Sequence, residues 1–101
     1  MAERMESEWL WFADRSHFCI HKMGEVSYLY CTRSGDTHVF NAVSMAMLDY
    51  FTDRPRTIAE LIEDFPGLMG LGREECPSGV VRRMFAELDD AGLVMPQQAA
   101  P

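Results

Sequence analysis

The chain has 101 residues, of which 48% are hydrophobic, 11% aromatic and 25% charged. Nine Lys and Arg stand against sixteen Asp and Glu, a formal net charge of −7. Such a length is one domain, and the apolar and aromatic content excludes a disordered tract. The acidity argues against nucleic acid or an anionic membrane surface as partner, because both require a basic face.

Three cysteines, Cys19, Cys31 and Cys76, form no CxxC pair and are too few for a disulfide framework. They point to reduced thiols in a cytoplasmic protein. Residues 1–8 are polar and acidic without the apolar run of a signal peptide. No window approaches the roughly 18 apolar residues of a membrane span. Residues 1–16 read as an N-terminal tail, partly ordered at most, 17–95 as the folded body and 96–101 as a C-terminal tail. Within the first tail, Trp9-Leu-Trp-Phe12 fits either an extra strand or an apolar lid.

The first half of the body carries strand signals. His17-Phe-Cys-Ile-His21 alternates, with Phe18 and Ile20 on one face and His17, Cys19 and His21 on the other. A turn through Gly24 leads to Val26–Thr32, rich in β-branched and aromatic residues. Arg33-Ser-Gly-Asp36 is a tight turn whose Gly35 can take positive φ, and Thr37–Asn41 is a third short strand. These runs predict a three-stranded antiparallel meander.

The second half carries helix signals. Asn41 or Ser44 caps a helix running to about Thr52, with Val43, Met47, Leu48 and Phe51 as its core stripe. Pro55 breaks it. Thr57 and Glu60 form a capping box for a second helix with Ile58, Leu61, Ile62 and Phe65 inward, ended by Pro66-Gly67. Leu68–Pro77 is a loop. Ser78 caps a third helix over about Gly79–Ala91, with Val81, Met84, Phe85 and Leu88 inward, Gly92 at C′, and Leu93 and Val94 packing back. The expected fold is α+β and winged-helix-like: a three-stranded antiparallel meander followed by three α-helices.

Catalytic patterns are few. The sequence has no Gly-rich phosphate loop, no nucleophile elbow and no HExxH, and the adjacent Asp89 and Asp90 diverge by about 100° on a helix. No enzymatic activity and no cofactor are expected. His17, Cys19 and His21, with Cys31 and His38, supply zinc-type ligands. Strand neighbours at i and i+2 are about 6.6 Å apart, however, which suits one ion poorly, so no metal is expected. Arg82-Arg83 is the only adjacent basic pair and reads as a solvated helix face or as a contact for an acidic peptide segment. The third strand, Thr37–Asn41, has no proline, lysine or other charge to protect its outer edge, so it is a liability or a rail for an extended peptide.

Ser34-Gly-Asp-Thr-His38 followed by Val39-Phe40-Asn41 resembles the strand-turn-strand signature of PqqD-like peptide chaperones, most nearly the subgroup of the HPr-rel-A system. Ala42–Leu48 resembles that family's first helix and Arg56-Thr-Ile-Ala-Glu-Leu-Ile62 its second. Phe85-Ala-Glu-Leu-Asp-Asp-Ala-Gly-Leu-Val94 resembles its closing segment. The likeness spans residues 17 to 95, and the loop Leu68–Pro77 looks longer than usual in the family.

The resemblance implies a non-catalytic recognition element for ribosomally made, modified peptides. Such a domain binds the leader of a precursor peptide by strand addition and presents it to a modifying enzyme, such as a radical enzyme or an HPr-kinase-related protein. Carried over, Thr37, His38, Val39, Phe40 and Asn41 would pair with the leader, and Val81, Arg82, Phe85 and Asp89 would form the other wall. Two alternatives stand beside it. A winged-helix transcription regulator requires a basic third helix, whereas this one carries Arg82 and Arg83 against Glu87, Asp89 and Asp90. A dimeric interaction subunit would pair through the edge strand.

Overall fold

A computed structural model describes residues 9–97. The elements are β1 (Leu10–Phe12), a short 3₁₀ turn (Arg15–His17), β2 (Phe18–Met23), β3 (Val26–Cys31), β4 (Thr37–Phe40), α1 (Ala42–Asp53), α2 (Ile58–Leu68), α3 (Ser78–Asp90) and β5 (Met95–Gln97). The architecture is α+β, as expected: an antiparallel sheet in the order β2-β3-β4, followed by three helices. Of the expected tails, 1–16 and 96–101, residues 1–8 and 98–101 lie outside the described residues, while β1 and the end of β5 fall within the rest.

The meander follows from its turns. Gly24, at φ 63°, is the first of the two residues linking Met23 to Val26, where a hairpin turn needs positive φ. Gly35 serves the β3–β4 turn at φ 78°, and its N–H donates to the Cys31 carbonyl at 2.8 Å. Alternation then sends Ser27, Leu29 and Cys31 inward, all three buried, and leaves Tyr28 and Tyr30 exposed.

Each helix is delimited by identifiable chemistry. Asn41 Oδ1 accepts from the Ser44 N–H at 2.9 Å and caps α1. Thr57 and Glu60 form the expected capping box on α2, at 2.9 and 3.0 Å. Two expectations need correction. Pro66 and Gly67 do not end α2, which continues to Leu68. A proline in the final turn removes only one helical donor, and the chain stops at Gly70 (φ 70°), where the Leu71 N–H reaches back to the Pro66 carbonyl at 2.8 Å. Ser78 is also not the cap of α3. It is the first helical residue, Pro77 holds the cap position, and the Pro77 carbonyl accepts from Val80 and Val81 at 3.0 and 3.2 Å. Gly92 does end α3 as expected, at φ 75°, with the Leu93 N–H donating to Leu88 O at 2.9 Å. That bond folds Leu93 and Val94 into the core, where both are buried.

Within the Trp9–Phe12 stretch, Leu10–Phe12 is a strand. β1 pairs antiparallel with β5, and Trp11 exchanges backbone hydrogen bonds with Arg56 at 2.8 and 2.9 Å. A two-stranded ribbon therefore brings together the first and last strands of the described residues. Trp11 is only 4% exposed and meets Phe85 edge-on at 5.0 Å, while Phe85 packs on Phe51 at 5.4 Å. Beside them Tyr50 donates to Asp64 at 2.7 Å, and the Arg56 guanidinium lies 4.1 Å over the Tyr50 ring.

Two outcomes test this packing. Trp11→Ala should cost about 3–5 kcal/mol in urea unfolding, as loss of a buried aromatic does, and Trp9→Ala, at an exposed position, well under that. Burial, and next the bond to Asp64, push the Tyr50 phenol up to about 12. The folded state thus holds this proton more tightly than the unfolded chain. That stabilisation is complete below pH 10 and disappears as the pH rises to about 12. Unfolding measured across this window should show a decline of no more than about 2 kcal/mol that Tyr50→Phe lacks.

Candidate functional site: the β4 edge and the cleft beside α3

The Cys31 N–H donates to the Asp36 carbonyl at 2.9 Å. By alternation, His38 opposite Leu29 and Phe40 opposite Ser27 form the hydrogen-bonded pairs of the β3–β4 ladder. Thr37 and Val39 therefore turn their N–H and C=O groups away from β3. Among the described residues no strand pairs with that side, and Val39 is 61% exposed. The opposite edge, β2, is also unpaired in the sheet but carries Lys22, a charge that discourages strand addition.

His38 and Phe40 point the other way, toward the helices, and their rings lie 6.2 Å apart. They line a cleft of about 190 Å³ whose second wall is α3, through Met84, Glu87, Leu88 and Ala91. Met47, Leu93 and Ser44 complete it. The lining is apolar apart from His38, Ser44 and Glu87. The His38 Nε2 atom is buried and has no hydrogen-bond partner among the described residues. A wider hollow of about 850 Å³ lies between β2 and the start of α1, where Ile20, Val43 and Met45 are bordered by Lys22, Glu25 and the Arg15–Asp49 ion pair at 3.4 Å.

The expected site residues divide between these places. Thr37 and Val39 face outward along the edge, and His38 and Phe40 face the cleft. Asn41 does not face the cleft; its side chain is committed to capping α1. On α3 the expected wall is rotated. Val81 and Phe85 are core residues at 0% and 5% exposure, with Phe85 held between Trp11 and Phe51. Arg82 and Asp89 are exposed and do not line the cleft. The stripe facing β4 is Met84, Glu87, Leu88 and Ala91, spaced i, i+3, i+4, i+7. That spacing was visible in the sequence. Which of two overlapping stripes faces the strand depended on Trp11, whose packing on Phe85 turns that residue away.

The sheet separates the expected metal-type ligands. Cys19 and His21 lie on the outer face of β2, whereas Cys31 and His38 lie on the inner face, and His17 sits in the 3₁₀ turn. Among the described residues no three His, Cys, Asp or Glu side chains converge on a metal position. All three cysteines are free thiols, and no described helix is long and apolar enough to cross a membrane. In comparisons with known proteins, no family model, curated sequence or solved structure matches the chain.

A buried polar atom without a partner costs stability. His38→Phe keeps a flat ring of similar size and removes it, so it should raise stability by about 1 kcal/mol in urea unfolding. A loss of stability would mean that the imidazole makes a bond essential to the fold.

Proposed function

We propose that the protein is a non-catalytic peptide chaperone. It binds the leader of a ribosomally made precursor in extended form along β4 and presents it to a modifying enzyme. This is the role implied by the likeness to PqqD-like recognition elements. One juxtaposition supports it: outward backbone groups of Thr37 and Val39 run alongside a cleft between β4 and α3 whose lining mixes apolar side chains with His38, Ser44 and Glu87. A strand added there takes affinity from backbone pairing. Its alternate side chains, those opposite His38 and Phe40, descend toward Met84 and Leu88.

The division of labour follows from chemistry. Backbone pairing tolerates many leader sequences, whereas the cleft selects the side chains that enter it. Glu87 at the cleft disfavours an acidic side chain there. The modifying enzyme would be a radical enzyme or an HPr-kinase-related protein, and the free thiols fit a reducing, cytoplasmic setting. The regulator reading has less support: α3 presents Glu87, Asp89 and Asp90 beside Arg82 and Arg83, and a duplex-reading helix is basic.

The test is calorimetric titration with a synthetic leader from a precursor encoded beside this chain's gene. Val39→Pro removes the outward N–H without touching the β3–β4 ladder, and it should weaken binding more than tenfold. Val39→Ala keeps the N–H and should stay within about threefold. Binding unchanged by Val39→Pro would end the strand-addition reading.

A further inference from the structure

The outer face of the sheet is free of charge. Its positions are Cys19, His21 and Met23 on β2, Val26, Tyr28 and Tyr30 on β3, and Thr37 and Val39 on β4. All except Val26 are exposed, and none is Asp, Glu, Lys or Arg. In a chain that is 25% charged and carries −7 overall, this is a local departure from the composition. The face is also partly aromatic: Tyr28 and Tyr30 are each about two-fifths exposed, and Val39 lies directly across from Tyr28. The helices pack on the opposite side, so nothing in the described fold covers it.

We propose that this face is the contact surface of a reversible homodimer, two sheets packed face to face through β3. Charge and area single out a second copy as the occupant. Two molecules each carrying −7 repel where their acidic surfaces meet, and this neutral face lets them approach without opposing like charges. A two-fold pair needs a surface complementary to itself, which neutral tyrosine, valine and methionine side chains provide and a patch of one sign does not. The exposed side chains offer on the order of 600 Å² per copy, roughly 1,200 Å² in a pair, the lower end for specific interfaces. The dimer is therefore weak, and it forms without using the β4 edge. A leader strand bound at that edge would extend the contact face by one strand.

Sedimentation velocity from ~10 μM to ~1 mM tests this on the full chain. The wild type should shift from monomer to dimer across the series. Raising salt from low to high should strengthen the dimer, because screening weakens the repulsion of the two acidic bodies. The Tyr28→Glu, Tyr30→Glu double variant lies on the central strand, leaves both edges intact, and should lower the association constant at least tenfold with an unchanged circular dichroism spectrum. Should that variant fold poorly, a dilution series of amide spectra on the wild type serves instead. Shifts should then be confined to the outer-face positions. A wild type that stays monomeric overturns the proposal, as does an intact double variant that dimerises normally. Concentration-dependent protection of the Thr37 and Val39 amides would also overturn it, since it would mean that copies join edge to edge.

Discussion

The α3 wall of the candidate site depends on three aromatic rings. Phe51 of α1 and Phe85 of α3 pack at 5.4 Å, and Trp11 of β1 closes on the far side of Phe85 at 5.0 Å. This stack sets the rotation of α3 about its own axis. With Phe85 turned toward Trp11, the stripe of Met84, Glu87, Leu88 and Ala91 must face β4. Remove the tryptophan and the helix loses the contact that decides which residues the cleft displays. The short β1 strand, far along the chain from α3, thus determines the chemistry of a groove it does not touch.

The sheet contributes a different constraint. Three strands with helices on one side leave two edges and one face to solvent. The edge of β2 is guarded by Lys22, while β4 bears no charge and exposes the backbone of Thr37 and Val39. An unguarded edge invites indiscriminate pairing unless something limits it. Here the strand is only four residues long and is followed at once by the Asn41 cap of α1, which confines any added strand to a short register. The buried, unpartnered His38 nitrogen lies at the centre of that register, a locally unfavourable group in a place where a ligand would settle.

Much of this was legible in the sequence, because the signals were local. Gly24, Gly35 and Gly92 mark turns that require positive φ, and the Thr57–Glu60 box and the Asn41 cap mark helix starts through single hydrogen bonds. The two-residue period of β4 was visible too, but which of Val39 and Phe40 faces outward follows from the register that sets Phe40 opposite Ser27. What escaped was long-range. Pro66 looked like a stop, but the backbone tolerates it in a last turn that Gly70 then closes. The inward face of α3, Val81, Met84, Phe85 and Leu88, was read correctly, but its wall toward β4 was placed on Val81, Arg82, Phe85 and Asp89 while the partner of Phe85 was unknown. That partner, Trp11, lies 74 positions earlier in a stretch readable as strand or lid.

The central claim is that an extended peptide adds to β4 at Thr37 and Val39. Amide hydrogen exchange with and without a saturating leader peptide tests it most directly, because exchange reports which backbone groups gain a partner. The Thr37 and Val39 amides should exchange freely in the unbound protein and become strongly protected in the complex, while His38 and Phe40, already bonded to β3, should change little. A leader that binds while Thr37 and Val39 exchange as freely as before would contradict the account.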